Sequence, residues 1–255
     1  MIRRTLAPLA FAIVPACAQL PAAAATPDIR PTLVVFITVD QMRADYFQRF
    51  DKQLTGGLRR LYDGSAFFLE AYQDHAITET APGHASTMSG RFPVHTGIVM
   101  NSQGVNGDPN APLIEARANE PSASPVRFHG TTLTDWLKGA NPQTRFLSVS
   151  RKDRGAILPI GRSKGDVYWW SATGKFTTSR YYADSLPPWV RAFNARKMGQ
   201  RHAGTEWNLL LPERAYPEPD SIPTENGGAN FMFPHPVADD SVAAASSTAA
   251  YPWMD

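Results

Sequence analysis

Two different patterns of apolar residues follow each other within the first 61 residues: a continuous run, and then a spacing typical of one face of a helix. Leu33–Val39 is an unbroken run of β-branched and aromatic residues, which predicts a strand buried on both faces, as in a parallel sheet. Apolar residues then recur every three or four positions from Phe47 to Leu61, which predicts a helix that Gly56-Gly57 could interrupt. A buried strand followed by an amphipathic helix is typical of α/β proteins.

The alternation of strand and helix patterns continues along the chain. Residues 102–126, rich in Pro, Asn, Ser and Ala, interrupt it and predict an irregular insertion. The other predicted elements are a strand over Ser65–Ala71, a helix over Pro82–Ser89, a helix over Leu133–Gly139, a strand over Arg145–Val149, a hairpin of Asp166–Trp170 with Phe176–Tyr182, and a helix over Pro187–Lys197.

The pattern weakens from about Gly199. Residues 199–255 predict proline-punctuated loops that could fold poorly alone, and Val237–Ala250 is nearly low-complexity. The fold class predicted is α/β, with a mostly parallel central sheet flanked by helices. Because about four strands are credible and an average sheet has about five or six, we expect residues 26–255 to form an incomplete domain.

The first 25 residues have the pattern of an export signal. Arg3 and Arg4 precede the apolar stretch Leu6–Leu20, and Ala22–Ala25 offers a small-residue cleavage site. The apolar stretch is shorter than the roughly 20 residues of a spanning helix, so no transmembrane segment is predicted. We therefore expect a periplasmic or secreted protein. Lipidation of Cys17, the single cysteine, is the alternative.

Composition and charge exclude two broad classes. Hydrophobic residues make up 43% and charged residues 19% of the chain, as in ordinary globular proteins and unlike disordered ones. The 25 Lys and Arg nearly balance the 23 Asp and Glu, and there is no basic run. Because nucleic-acid binding depends on clustered basic side chains, no nucleic-acid partner is expected.

Asp40 ends the first predicted strand. Open α/β sheets bind ligands beyond the carboxyl ends of their strands, so Asp40 is a candidate metal ligand. Aspartate is also favoured as the cap of a following helix. Its position alone leaves both interpretations open.

Thr80 stands just ahead of the helix predicted from Pro82. A helix N-terminus has unpaired N–H groups that suit a phosphate, and a hydroxyl there could attack phosphorus. A threonine hydroxyl needs a metal ion or a base to activate it. Taken in isolation, a threonine at such a position is more often a plain helix cap.

Lys152 and Arg154 lie two residues apart, which places both cations on one side of an extended segment. Arginine can grip two phosphoryl oxygens, and lysine can supply a point charge. Two cations suit a dianionic phosphate monoester better than a diester. An isolated pair of this kind is more often a solvated surface feature.

Three segments together resemble the alkaline phosphatase superfamily. They are Val34–Tyr46 (VVFITVDQMRADY), Thr78–Asn101 (TETAPGHASTMSGRFPVHTGIVMN) and Ser150–Arg162 (SRKDRGAILPIGR). The resemblance is to the threonine-nucleophile branch of bacterial alkaline phosphatases, which is related to type I phosphodiesterases and nucleotide pyrophosphatases. It covers the chain from Thr32 to about Phe233 and implies an alkaline phosphatase-like α/β fold.

The resemblance implies a role for each candidate residue. Asp40 would bind zinc, Thr80 would bind the same zinc and attack phosphorus, and Asn101 would donate to a phosphate oxygen. Lys152 and Arg154 would bind the substrate. The phosphodiesterase relatives lack this pair, so the resemblance favours a monoester. The family uses two zinc ions, and we expect the remaining ligands, two Asp and three His, from a second half of a longer chain.

The function implied is therefore that of an exported, metal-dependent phosphomonoester hydrolase acting on small molecules through a covalent phospho-threonine. Its activity would need the second half. One alternative is phosphodiester or nucleotide pyrophosphate cleavage at the same site. Another is a truncated, catalytically inactive exported domain that binds phosphate. His84 and His95 lie in matching segments and are expected to be structural, and no prediction is made of the oligomeric state.

Overall fold

The computed structural model describes residues 31–224, 228–229 and 231–237. The predicted export signal, Cys17 and nearly all of the low-complexity stretch lie outside the described residues. Two compact units divide the chain, Met1–Thr38 and Val39–Asp255. In the first unit, residues 31–38 form neither helix nor strand. None of the described helices is long and apolar enough to cross a bilayer.

The second unit contains short helices and two small sheets. The α-helices are α1 Tyr46–Arg49, α2 Gly56–Gly64, α3 Thr80–Ser89, α4 Pro93–Thr96, α5 Leu133–Ala140, α6 Asp153–Ile157 and α7 Pro188–Ala195. Single 3-10 turns occur at Asn101–Gln103, Leu158–Ile160, Gly199–His202 and Glu213–Ala215. The strands are β1 Leu147–Ser150, β2 Asp166–Trp170, β3 Phe176–Thr177, β4 Glu206–Trp207 and β5 His235–Pro236.

The larger sheet has the strand order β1-β2-β3. β1 runs parallel to β2, with Leu147 opposite Asp166, and β3 is antiparallel to β2. β4 and β5 form a separate antiparallel pair. β1 is an edge strand, and its Leu147 and Val149 are 62% and 54% exposed. The α/β class is confirmed, and among the described strands one of the three pairings is parallel.

The hydrophobic core lies where α3 packs against α6 and the 3-10 turn after it, while α6 also packs against β1 and β2. Small side chains on α3 allow this close approach. The fully or almost fully buried members of this core are Ala81, Ala85, Ile98, Val105, Ala123, Phe128, Ala156, Ile157, Leu158, Ile160, Val167 and Trp169. The core therefore surrounds the start of α3 and the start of α6, which are the elements that carry Thr80, Lys152 and Arg154.

Most elements with strong local signals are confirmed. α3, α5 and α7 match three predicted helices, and β1 and the β2-β3 hairpin match the later predicted strands, with β3 limited to two residues. Residues 102–126 are irregular as expected, apart from one 3-10 turn and isolated bridges. α5 begins where Thr132 and Asp135 form a capping box, which satisfies free N–H groups at its start. The helix predicted between Phe47 and Leu61 is split into α1 and α2, and the break precedes Gly56.

The strand predicted over Leu33–Val39 is wrong for the described structure. The segment has no strand assignment, and its apolar side chains face solvent, with Leu33 76% and Ile37 70% exposed. A strand exists only where a neighbour accepts and donates its backbone hydrogen bonds. No described segment pairs with this one, so its composition alone does not make it a strand.

The strand predicted over Ser65–Ala71 is also wrong. Residues 66–68 are irregular and residues 69 and 70 form a turn. Phe67 packs edge-on against Phe47 and Tyr62, at ring distances of 5.1 and 4.9 Å. The segment is thus fixed by aromatic contacts with α1 and α2 and has no strand partner among the described residues.

Candidate active site

Thr80 is the first residue of α3. The helix begins there because Glu79 is extended, with φ −88° and ψ 168°, and Pro82 suits the first turn. It ends at Gly90, which adopts the left-handed conformation with φ 65° that glycine tolerates best. Thr80 therefore lies at the partially positive end of a helix whose far side is buried in the core.

Asp40 lies beside Thr80, although 40 residues separate them in the chain. The Thr80 hydroxyl donates a hydrogen bond to Asp40 Oδ2 at 3.2 Å. Asp40 is followed by a turn in which Gln41 has a positive φ of 60°. The Asp40 side chain is 45% exposed, so a ligand can reach it.

Lys152 contacts the same carboxylate. Its Nζ lies 3.4 Å from Asp40 Oδ2, and its side chain is 41% exposed. Ion pairs at this exposure contribute little to folding stability. Lys152 is the N-cap of α6 and directly follows the β1 region, so the sheet and α6 together determine where its ammonium group lies. The structure thus brings Asp40, Thr80 and Lys152 together.

Arg154 lies in the first turn of α6 and is less exposed than Lys152, at 27%. Its Nη1 is 3.4 Å from Asp153 Oδ1. Its Nε is buried and has no hydrogen-bond partner in the described part of the chain. No described contact joins Arg154 to Asp40 or Thr80. Arg154 thus lies two residues after Lys152 at the start of the same helix, and its Nε–H is a buried donor without a described partner.

Asn101 is connected to both neighbours of Thr80. Its Oδ1 accepts a hydrogen bond from the Ala81 N–H at 2.8 Å, and its own N–H donates to Glu79 Oε2 at 2.6 Å. Sequence reasoning missed Glu79. Its residue type could have indicated a role outside the helix. Glutamate is not among the favoured N-cap residues, so capping does not explain its presence before α3.

His84 is buried on α3, one turn after Thr80. Its Nδ1 lies 2.8 Å from the Thr80 carbonyl oxygen, which can only accept, so the ring donates this hydrogen bond. This hydrogen bond is to the Thr80 backbone and does not involve its hydroxyl. His95 is an exposed residue of α4.

A metal ion would find part of a coordination sphere here. Asp40 and Thr80 supply two oxygen ligands at one point, whereas zinc usually takes about four ligands. The described residues contain no group of three His, Cys, Asp or Glu side chains that could hold a metal. They therefore fit one side of a divalent-metal site without completing it.

A family model for type I phosphodiesterase / nucleotide pyrophosphatase matches residues 34–227. This match includes every candidate site residue and most of the chain. The chain belongs to this family.

Three curated relatives of this family member are named alkaline phosphatases. It is 36% identical to alkaline phosphatase PhoV of Synechococcus elongatus over 81% of this chain and 40% of PhoV. It is 36% identical to PafA of Elizabethkingia meningoseptica, over 74% of this chain and 37% of PafA. With PhoK of Sphingomonas sp it shares 37% identity, over 76% of this chain and 36% of PhoK. The family member spans about two fifths of the length of these relatives.

Solved structures give the same assignment for the fold. The crystal structure of wild-type alkaline phosphatase PafA matches this family member with a TM-score of 0.67 and 32% identity. The match covers 72% of this chain and 38% of PafA. A PafA variant in which a threonine, an asparagine, a lysine and an arginine are replaced matches with a TM-score of 0.66. The resemblance of this phosphodiesterase family member to the alkaline phosphatase superfamily is thereby confirmed.

Proposed function

We propose that this chain carries half of the active site of an alkaline phosphatase, a phosphomonoester hydrolase in which Thr80 is the nucleophile. The observation that carries the proposal is the meeting of the Thr80 hydroxyl and the Lys152 ammonium group at one carboxylate, Asp40. A hydroxyl at a helix N-terminus beside a cation suits attack on an anionic phosphate. The names of the matched relatives support the same activity.

Three side chains are proposed to bind the phosphoryl group. Asn101 can donate from its side-chain NH2, because its oxygen is already bound by Ala81. Lys152 supplies a point charge. Arg154 has a buried Nε–H without a partner in the described chain, and a phosphoryl oxygen would satisfy it.

The PafA variant supports these four residues as a set. Its replaced threonine and asparagine are 21 residues apart, and its replaced lysine and arginine are two apart. Thr80 and Asn101 have the same separation, and so do Lys152 and Arg154. Equal residue types at equal spacings favour a common site.

The proposed reaction has two displacements at phosphorus. A bond forms between Thr80 Oγ1 and phosphorus while the bond from phosphorus to the leaving oxygen breaks. The hydroxyl proton passes through solvent to the leaving oxygen, which departs as an alcohol. Water then attacks the phospho-threonine, which releases inorganic phosphate and restores the hydroxyl. A divalent metal bound by Asp40 and Thr80, proposed to be one of two zinc ions, would lower the cost of ionising the hydroxyl. The positions of Asn101, Lys152 and Arg154 supply orientation and charge stabilisation.

Export is part of the proposal. Residues 1–25 would be removed as a signal peptide, and residues 26–255 would form the N-terminal part of the domain in the periplasm or outside the cell. Small phosphate monoesters are the proposed substrates.

Phosphodiester cleavage is the second candidate function, and the name of the matching family favours it. The two cations Lys152 and Arg154 favour the monoester, which carries two negative charges where a diester carries one. Lys152→Ala should therefore lower kcat/KM for p-nitrophenyl phosphate by about 10- to 100-fold, the range for loss of a charged contact, and change turnover of bis-p-nitrophenyl phosphate less. Lys175→Ala, an exposed lysine in the hairpin turn, is the control. An equal loss on both substrates would remove this argument for the monoester, and faster wild-type turnover of bis-p-nitrophenyl phosphate would favour the diesterase.

Thr80→Ala tests the nucleophile in the full-length protein with zinc supplied. We expect turnover of p-nitrophenyl phosphate to fall to the background rate and acid-quenched phosphoprotein to disappear, with an unchanged melting temperature. Thr78→Ala, which alters an exposed threonine two residues earlier, should retain both the turnover and the acid-quenched phosphoprotein. Undiminished turnover in Thr80→Ala would disprove the assignment. An inactive, zinc-free wild type would instead favour the catalytically inactive domain.

A further inference from the structure

The side chain of Glu79 does not serve its own helix. Glu79 is the N-cap of α3, yet its carboxylate makes no capping hydrogen bond to that helix. It accepts instead from the backbone N–H of Asn101, at 2.6 Å and 22 residues later. Local helix formation therefore gives no reason for a glutamate at this position.

Asn101 completes a reciprocal arrangement. It is the first residue of the 3-10 turn Asn101–Gln103, so its N–H is one of the donors left free at the start of that turn. The Ala81 N–H is a free donor of the same kind in α3, and Asn101 Oδ1 accepts it at 2.8 Å. The two helical turns thus satisfy each other's terminal N–H groups through one carboxylate and one amide.

This arrangement fixes the direction of the Asn101 amide. Because Ala81 N–H is a donor, the atom that faces it must be the amide oxygen, and the NH2 group must point elsewhere. Glu79 and Ala81 are the two chain neighbours of Thr80. Glu79 holds the Asn101 backbone through its N–H, and Ala81 holds the side-chain amide through its oxygen. Among the described residues, no acceptor bonds the NH2 group.

We propose that Glu79 is a positioning residue that holds Asn101 so that its side-chain NH2 faces the phosphoryl group attacked by Thr80. The catalytic part of this inference rests on the proposed function. The carboxylate acts through Asn101 and does not contact the substrate. Loss of its charged hydrogen bond would free the 3-10 turn to move, which would loosen the Asn101 amide from Ala81.

Residue-resolved hydrogen exchange on the full-length protein tests the positioning independently of catalysis. In Glu79→Ala, exchange of the Asn101 N–H should accelerate by about tenfold or more, and that of the Ala81 N–H should accelerate with it. Glu79→Gln keeps an accepting oxygen and should restore most of the protection. Glu70→Ala removes an exposed glutamate bonded to Tyr72 and should change neither amide. Unchanged exchange of Ala81 in Glu79→Ala would overturn the proposal.

A double-mutant cycle tests the catalytic consequence. Glu79→Ala should lower kcat/KM for p-nitrophenyl phosphate by about tenfold in the wild-type background and have almost no effect in an Asn101→Ala background. Glu79→Gln should recover most of the activity. Equal losses in both backgrounds would show that Glu79 acts independently of Asn101. A wild-type protein without phosphatase activity would refute the proposed function, and the exchange measurement would still decide the role of Glu79.

Discussion

Replacement of Gly155 by alanine is expected to disturb the segment that carries Lys152 and Arg154. Gly155 is buried in α6, between β1 and α3. A Cβ atom there would lie 2.5 Å from Ser150 Oγ and 3.6 Å from His84 Nε2. The first distance is far below van der Waals contact, so the Ser150 hydroxyl would have to turn away. That hydroxyl accepts from the Lys152 N–H at 3.3 Å, so its rotation breaks a contact at the start of α6.

The magnitude follows from two opposing terms. An extra carbon in a well-packed interior costs about 1–3 kcal/mol, whereas alanine is favoured over glycine in a helix by up to about 1 kcal/mol. We expect Gly155→Ala to lower the free energy of unfolding by about 1–2 kcal/mol. If Ser150 is alanine as well, the nearest remaining atom is the Ser150 Cβ at 3.3 Å, a contact that a small shift relieves.

Urea unfolding of wild type, Gly155→Ala, Ser150→Ala and the double variant measures this coupling. The double variant should be more stable than the sum of the single changes predicts, by about 1 kcal/mol. Gly139→Ala is a matched control, because Gly139 also lies in a helix and a Cβ there meets nothing within 4 Å. It should stabilise the protein by about 0.5–1 kcal/mol. The reasoning fails if Gly155→Ala behaves like Gly139→Ala, or if the Gly155 and Ser150 effects are additive.

Two further predictions concern folding stability. Gly161→Ala should lower the free energy of unfolding by about 3 kcal/mol or more, because φ is +56° and the new Cβ would lie 2.8 Å from Phe128 and 2.9 Å from Thr132; a loss below about 1 kcal/mol in thermal unfolding would contradict this. Burial, with a smaller contribution from Asp166, raises the pKa of Tyr168 from 10.0 to about 12. Between these values the folded state keeps a proton that the unfolded state has lost, so stability should fall as the pH rises. Tyr168→Phe should reduce this fall between about pH 10 and about pH 12, and an unchanged fall would refute it.

The elements that sequence predicts well are those whose signals are local. Pro82 and Gly90 mark the two ends of α3, and Thr132 with Asp135 marks the start of α5, each within a few residues. The strand expected over Leu33–Val39 depends on a partner elsewhere in the chain, and no amount of local β-propensity provides one. Sequence pattern therefore predicted capped helices more reliably than strands.

The arrangement of the candidate site, like the strands, depends on contacts between distant parts of the chain. Neither periodicity nor spacing could bring Asp40, Thr80 and Lys152 together, since the contacts span 40 and 112 residues. The resemblance to a known family did so, because its motifs already contain that long-range information. Glu79 lies inside a matching motif, but its sequence gives no sign of its role at Asn101, since that partner is 22 residues away and the bond is to the backbone.

The exposed edge of β1 has a practical consequence for work with this chain. One side of the strand pairs with β2, while no described strand pairs with the other side, where the side chains of Leu147 and Val149 are exposed. An open edge of this kind is a template for pairing with a second copy. Self-association should therefore rise with protein concentration, and kinetic and exchange experiments belong at low concentration, where light scattering can establish that the sample is monodisperse.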